Sequence, residues 1–90
     1  MDEMSWRAKL AKSNINILNI TGSTWYIEFT YHPKPGVFKW CKTFFVIPDN
    51  IVFPDKDEPT KWYKDPSYSD SDIADIILDE VLTLRKELEG

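Results

Sequence analysis

Between residues 25 and 32 the chain alternates without a break. Trp25, Ile27, Phe29 and Tyr31 fall on one side, and Tyr26, Glu28, Thr30 and His32 on the other. This is the period of a β-strand with one buried face. Pro33-Lys34-Pro35-Gly36 then reverses the chain, because Pro fixes φ and Gly tolerates positive φ. A four-residue loop there sets His32 opposite Val37. It carries Tyr31 to Phe38, Phe29 to Trp40, Ile27 to Lys42 and Trp25 to Phe44. Facing aromatic pairs each add a few tenths to about 1 kcal/mol, so this register predicts Trp25, Phe29, Phe38 and Trp40 as core. The reverse face reads Tyr26, Glu28, Thr30 and His32 against Val37, Lys39, Cys41, Thr43 and Phe45, a half-polar surface that is either solvated or a docking face.

The flanking segments predict the remaining elements. Trp6 to Lys12 uses good helix formers, with Trp6 and Leu10 four apart and Asp2 or Ser5 as candidate caps. Asn14 to Ile20 alternates as Ile15 and Ile17, then slips phase to Leu18 and Ile20, the pattern of a strand carrying a bulge. Thr21-Gly22-Ser23-Thr24 is a turn, and Pro48-Asp49-Asn50 is another. Ile51-Val52-Phe53 adds a brief edge strand that Pro54 stops. Residues 54–70 have no periodicity and hold three of the six prolines together with Asp55, Asp57, Glu58, Asp65 and Asp70; they read as one long acidic connection. Asp70 or Ser71 caps a final helix from Asp72 to about Leu88. Its apolar arc is Ile73, Ala74, Ile77, Leu78, Val81, Leu84 and Leu88, with Ile76 and Leu82 on the flanks.

The fold class expected is α+β in a single domain over residues 1–90. It has a short N-terminal helix, a three- or four-stranded antiparallel meander, and a long C-terminal helix packed on one sheet face. Ninety residues with 42% hydrophobic and 14% aromatic content suit a folded globule but leave little room for an enclosed substrate cavity. The element order resembles that of double-stranded-RNA-binding domains. Asp70, Asp72 and Asp75 stand where such a helix presents Lys and Arg, so no family is assigned.

Chemistry enters mostly by exclusion. Cys41 is the only cysteine and His32 the only histidine, which rules out a disulfide framework or a multi-cysteine zinc site. The register above places Cys41 opposite Glu28, two pairs from His32, too far for a nucleophile and its base. No glycine-rich phosphate loop exists, and the acids of 55–58 and 70–72 lack the glycine of a calcium loop. The expectation is therefore a non-enzyme with no cofactor and no metal. The opening Met1–Arg7 has no basic segment followed by an apolar run, and no stretch approaches the roughly 20 apolar residues of a membrane span. A cytoplasmic protein (host cytoplasm, if viral) without a membrane partner is expected.

Charge then separates the two halves. Residues 1–48 carry three acids against six bases, and residues 49–90 carry twelve acids against five bases, for a net −4. A chain this acidic makes nucleic acid a poor expected partner. The segment Lys61-Trp62-Tyr63-Lys64-Asp65-Pro66-Ser67-Tyr68 sets aromatic side chains among those acids, and Trp and Tyr are common interface anchors. The expected function is a non-enzymatic protein-binding module, an inhibitor or adaptor. It would present Asp55, Asp57, Glu58, Trp62, Tyr63, Asp65, Tyr68, Asp72 and Asp75 to a basic site on a larger protein. Small acidic proteins of this kind include virus-encoded inhibitors of nucleic-acid-processing enzymes. The alternatives are a nucleic-acid-binding domain using the sheet face and Arg7, Lys9, Lys12, Lys34, Lys39 and Lys42, or a self-associating subunit. A monomer or a homodimer fits the sequence equally.

Overall fold

The computed structural model describes residues 3–90, with side chains from Arg7 onward. Helix α1 (Glu3–Ala11) leads into a three-stranded sheet of β1 (Ile15–Thr21), β2 (Thr24–Tyr31) and β3 (Lys39–Val46). A separate two-stranded ribbon follows, β4 (Val52–Pro54) and β5 (Trp62–Lys64), and the chain ends in α2 (Asp70–Glu89). The sheet is an antiparallel meander in the order β1-β2-β3, and α2 lies across one of its faces, so the expected α+β layering is present. Ser5 falls inside α1 rather than capping it, and Asp2 lies outside the described residues.

The core follows the alternation of β2. Trp25, Ile27 and Phe29 are fully buried beneath Ile73, Ala74, Ile77 and Val81 of α2, and Leu10, Ile15, Ile47 and Val52 close its margins. Among the described residues ten large side chains are fully buried, each worth roughly 1.5–3 kcal/mol of burial. The phase slip in β1 is a bulge between Ile17 and Asn19. It returns Ile20 to the side of Trp25 and leaves Leu18 exposed. Helix α2 begins at Asp70, two residues earlier than the spacing indicates. Ser69 is its cap, with Ser69 Oγ accepting from Asp72 N at 3.1 Å and Asp72 Oδ2 accepting from Ser69 N at 2.8 Å. Arg85 ties the far end down: its Nε donates to Thr30 O at 2.8 Å, and its Nη2 donates to Ser13 O.

Three further expectations are corrected. First, the β2–β3 register is one residue away from the expected one: Tyr31 faces Lys39, Phe29 faces Cys41, Ile27 faces Thr43 and Trp25 faces Phe45. A one-residue slip turns every side chain of a strand to the other face. Cys41, Thr43 and Phe45 therefore lie on the core side, while Trp40, Lys42, Phe44 and Val46 share the outer face with Tyr26, Glu28 and Thr30. Phe38 and Trp40, expected in the core, are exposed; Trp25 and Phe29 are buried as expected. Second, Ile51-Val52-Phe53 does not extend the main sheet, because its partner is Trp62–Lys64. Third, residues 54–70 are accordingly not a featureless connection. They contain β5, and Asp65 N donates to Ile51 O at 2.8 Å to continue the ribbon.

Candidate functional site

Two surfaces carry groups that the core does not use. The first is the acidic segment. Asp55 organises the loop between β4 and β5: its Oδ1 accepts from Asp57 N at 2.8 Å and Glu58 N at 3.0 Å, and its Oδ2 accepts from Tyr63 Oη at 3.1 Å. Those donors, the backbone ones above all, hold its carboxyl below the usual aspartate range. Glu58 pairs with Lys61 at 2.9 Å. Asp65 folds the next turn by accepting from Ser67 Oγ and from Ser67 N, and these bonds lower its pKa too. Asp72, stabilised first by Ser69 N and then by the Ser69 hydroxyl, is likewise lowered. Asp75 pairs with Lys9 of α1 at 2.6 Å.

The rings of this segment divide. Trp62 is half-buried against Trp25, with centroids 5.2 Å apart, and Tyr68 packs on the core margin while its carbonyl accepts from Lys64 Nζ at 2.6 Å. Tyr63 is exposed, its hydroxyl held by Asp55. Of the nine residues singled out, the structure thus brings Asp55, Asp57, Glu58 and Tyr63 together on one loop. Asp65, Tyr68, Asp72 and Asp75 follow along the entry to α2, where three of the four serve turns, the cap or a tie to α1.

The second surface is the outer face of the three-stranded sheet. Phe38 is 52% exposed, Trp40 50%, Phe44 68% and Val46 60%. The rings form two clusters. Tyr26 stacks on Phe44 at 4.6 Å, and Phe38 meets Trp40 edge-on at 5.8 Å and His32 at 5.3 Å. Lys42 stands opposite Glu28, whose Oε1 accepts from Asn16 Nδ2 at 3.2 Å. The sequence reading set Phe38, Trp40 and Phe44 on the core face and gave Val46 no role. The hydrophobic pattern gives no signal that decides between the two registers, because β3 carries apolar residues on both parities.

His32 Nδ1 lies 3.1 Å from Val37 O, and Cys41 faces Phe29 from the core side. Among the described residues no group of three or more His, Cys, Asp or Glu is placed to hold a metal, and no helix is long and apolar enough to cross a membrane. An open groove of about 310 Å³ between α1 and β1 is lined by Arg7, Ala8, Ala11, Ile15, Asn16 and Ile17, which offer no acid, thiol, imidazole or hydroxyl. No protein-family profile matches the chain, and no characterised protein or solved structure matches it significantly.

Proposed function

We propose that this chain is a non-enzymatic protein-binding module, an inhibitor or adaptor, that docks through the outer face of its three-stranded sheet. The observation carrying this reading is the inversion of β3. Phe38, Trp40, Phe44 and Val46 face solvent while Cys41 and Thr43 face the core. Two exposed ring groups, Tyr26 with Phe44 and Phe38 with Trp40, flank Lys42, and exposed apolar groups rimmed by polar residues mark an interaction site. Departures from the hydrophobic-inside rule in native chains concentrate where function requires them. Tyr, Trp and Phe are also the residue types that dominate binding energy when a partner dehydrates them.

A second reading keeps the acidic loop as the contact. The ties of Asp55 to Asp57, Glu58 and Tyr63 hold an exposed ring among fixed carboxylates, and such a loop suits a basic partner. Affinity purification from the organism of origin separates the two. Trp40→Ser with Phe44→Ser should release the partner while Asp57→Asn with Glu58→Gln retains it, at low and high salt alike. Loss only in the acid-neutralised variant, together with release at high salt, would transfer the function to the loop. Retention by both variants would refute both readings.

A further inference from the structure

The outer face ends at an open edge. Strand β3 is terminal in the sheet, with β2 its sheet neighbour. An antiparallel strand turns about half of its N–H and C=O groups away from that neighbour. Over the eight residues Lys39–Val46 this leaves a row of donors and acceptors next to Trp40 and Phe44. Proteins that keep such an edge bare usually blunt it with charge. Here the charge has one sign. Lys39 and Lys42 are both exposed on β3, the strand contains no acid, and among the described residues no carboxylate lies within ion-pair distance of either. Glu28, directly across from Lys42, engages Asn16 instead.

We infer that the β3 edge accepts an extended segment of a partner protein as a fourth strand, and that this segment carries two carboxylates spaced to meet Lys39 and Lys42. The inference rests on the sheet-face reading above and specifies its ligand. The spacing follows from the pleat. Lys42 lies on the outer face between Trp40 and Phe44, and Lys39 lies three residues away on the opposite face. An antiparallel strand opposite Phe44 to Lys39 therefore reads apolar, any, acidic, any, apolar, acidic. The apolar positions cover Phe44 and Trp40, and the acids face the lysines. A second copy of this chain is the wrong occupant, because antiparallel β3–β3 pairing brings four lysines into one ladder, where like charges destabilise. Single-stranded nucleic acid is disfavoured as well. The rings are already paired with one another (Tyr26 with Phe44, Phe38 with Trp40), and the chain carries a net −4.

The test selects a displayed library of random 12-residue peptides on the immobilised full chain and follows the enriched peptides by NMR. The expected result is enrichment of the six-residue pattern above. Binding should fall by roughly tenfold or more in Lys39→Glu/Lys42→Glu, whose selection should turn to lysine and arginine at the same two positions. Alternate amides of β3 should become protected from exchange, and N-methylation of alternate peptide amides should abolish binding. Peptides that bind, are lost in Trp40→Ser and yet leave β3 exchange unchanged would overturn strand addition while preserving the sheet-face reading. Enrichment without the acid spacing would overturn the assigned ligand. No enrichment over the Trp40→Ser/Phe44→Ser variant would overturn both, and displacement of bound peptide by a 12-nucleotide oligo-dT would assign the face to nucleic acid.

Discussion

Replacing Gly22 by alanine reports on the seam between the two sheets. Gly22 sits in the β1–β2 turn with φ +60°, and a methyl group there would stand 2.5 Å from Pro54 Cβ and 3.4 Å from Pro59 O. Gly36, in the β2–β3 turn, has φ +77° and nothing within 4 Å of the same position. Left-handed backbone costs an alanine about 1–2 kcal/mol, offset by about 0.4–1 kcal/mol from the stiffer unfolded chain. Gly36→Ala should therefore destabilise by about 1 kcal/mol. Gly22→Ala carries the same backbone term plus an overlap of nearly 1 Å with a rigid ring. Overpacking of that kind adds about 1–3 kcal/mol, for a total of about 2–4 kcal/mol. A chain of 90 residues has about 5–13 kcal/mol of stability, so both variants stay folded and measurable. Urea unfolding followed by tryptophan fluorescence gives the two midpoints at a common slope. Equal midpoints, or a milder effect at Gly22, would refute the close approach of Pro54. The position of the β4–β5 ribbon, and of the acidic loop it carries, would then be refuted too.

Four further outcomes follow from the packing and the caps. Ile77→Ala, at a fully buried position, should cost about 2–5 kcal/mol, whereas Leu82→Ala, half exposed on the same helix, should cost under about 1 kcal/mol in the same urea assay; similar losses would mean that α2 is rotated. Arg85→Met leaves Thr30 O and Ser13 O without their donor and should lower stability by about 1–3 kcal/mol; an unchanged midpoint would show that solvent satisfies both carbonyls. Ser69→Ala removes the α2 cap and should cost about 1 kcal/mol, read by the same unfolding, with helix N-terminal amide exchange as its local signature. Asp55, Asp65 and Asp72 have folded pKa values below their ordinary ones. Their stabilisation is thus complete above the unfolded aspartate pKa of about 3.9 and is lost as pH falls through the lower folded values. Carboxyl NMR titration should place all three midpoints below the ordinary aspartate value, and a midpoint at or above it would contradict the hydrogen bonds at that site.

What the sequence revealed depends on how local each determinant is. Both helices, the β1 bulge and the buried face of β2 follow from spacing within ten or so residues, and each is present, although both helices begin two or three residues earlier than the periodicity puts them. Strand β5 could not be read this way. Trp62-Tyr63-Lys64 is too short to show a period, and its strand character comes from pairing with Val52–Pro54, eight or more residues away in the chain. The candidate acids were legible as a cluster, but their roles were not. That Asp55 closes a loop on Tyr63 and Asp72 caps a helix requires knowing which backbone N–H groups are left over. Trp62 illustrates the opposite case: a large ring in a polar segment turned back to Trp25, because an indole gains more from burial than a short ribbon loses by accommodating it.

The outer sheet face was hidden for a different reason, and that reason bears on function. Strand β3 and the residue after it place apolar side chains on both parities: Trp40, Phe44 and Val46 on one, Cys41, Phe45 and Ile47 on the other. Hydrophobic pattern therefore cannot choose the register, and the choice passes to the turn. Two prolines compete for the second position of that turn. Pro33 in that role centres the loop early and buries Phe38 and Trp40. The observed turn uses Pro35 instead, with Gly36 at φ +77° in the third position and Val37 N donating to Lys34 O at 3.1 Å, as a type II turn requires. The strands pair from Tyr31 opposite Lys39 onward, one residue away from the register of a four-residue loop, and the larger rings of that strand turn outward. A strand able to bury either set, paired in the register that exposes the larger one, is what a sheet needs if its outer face and free edge are to meet another protein.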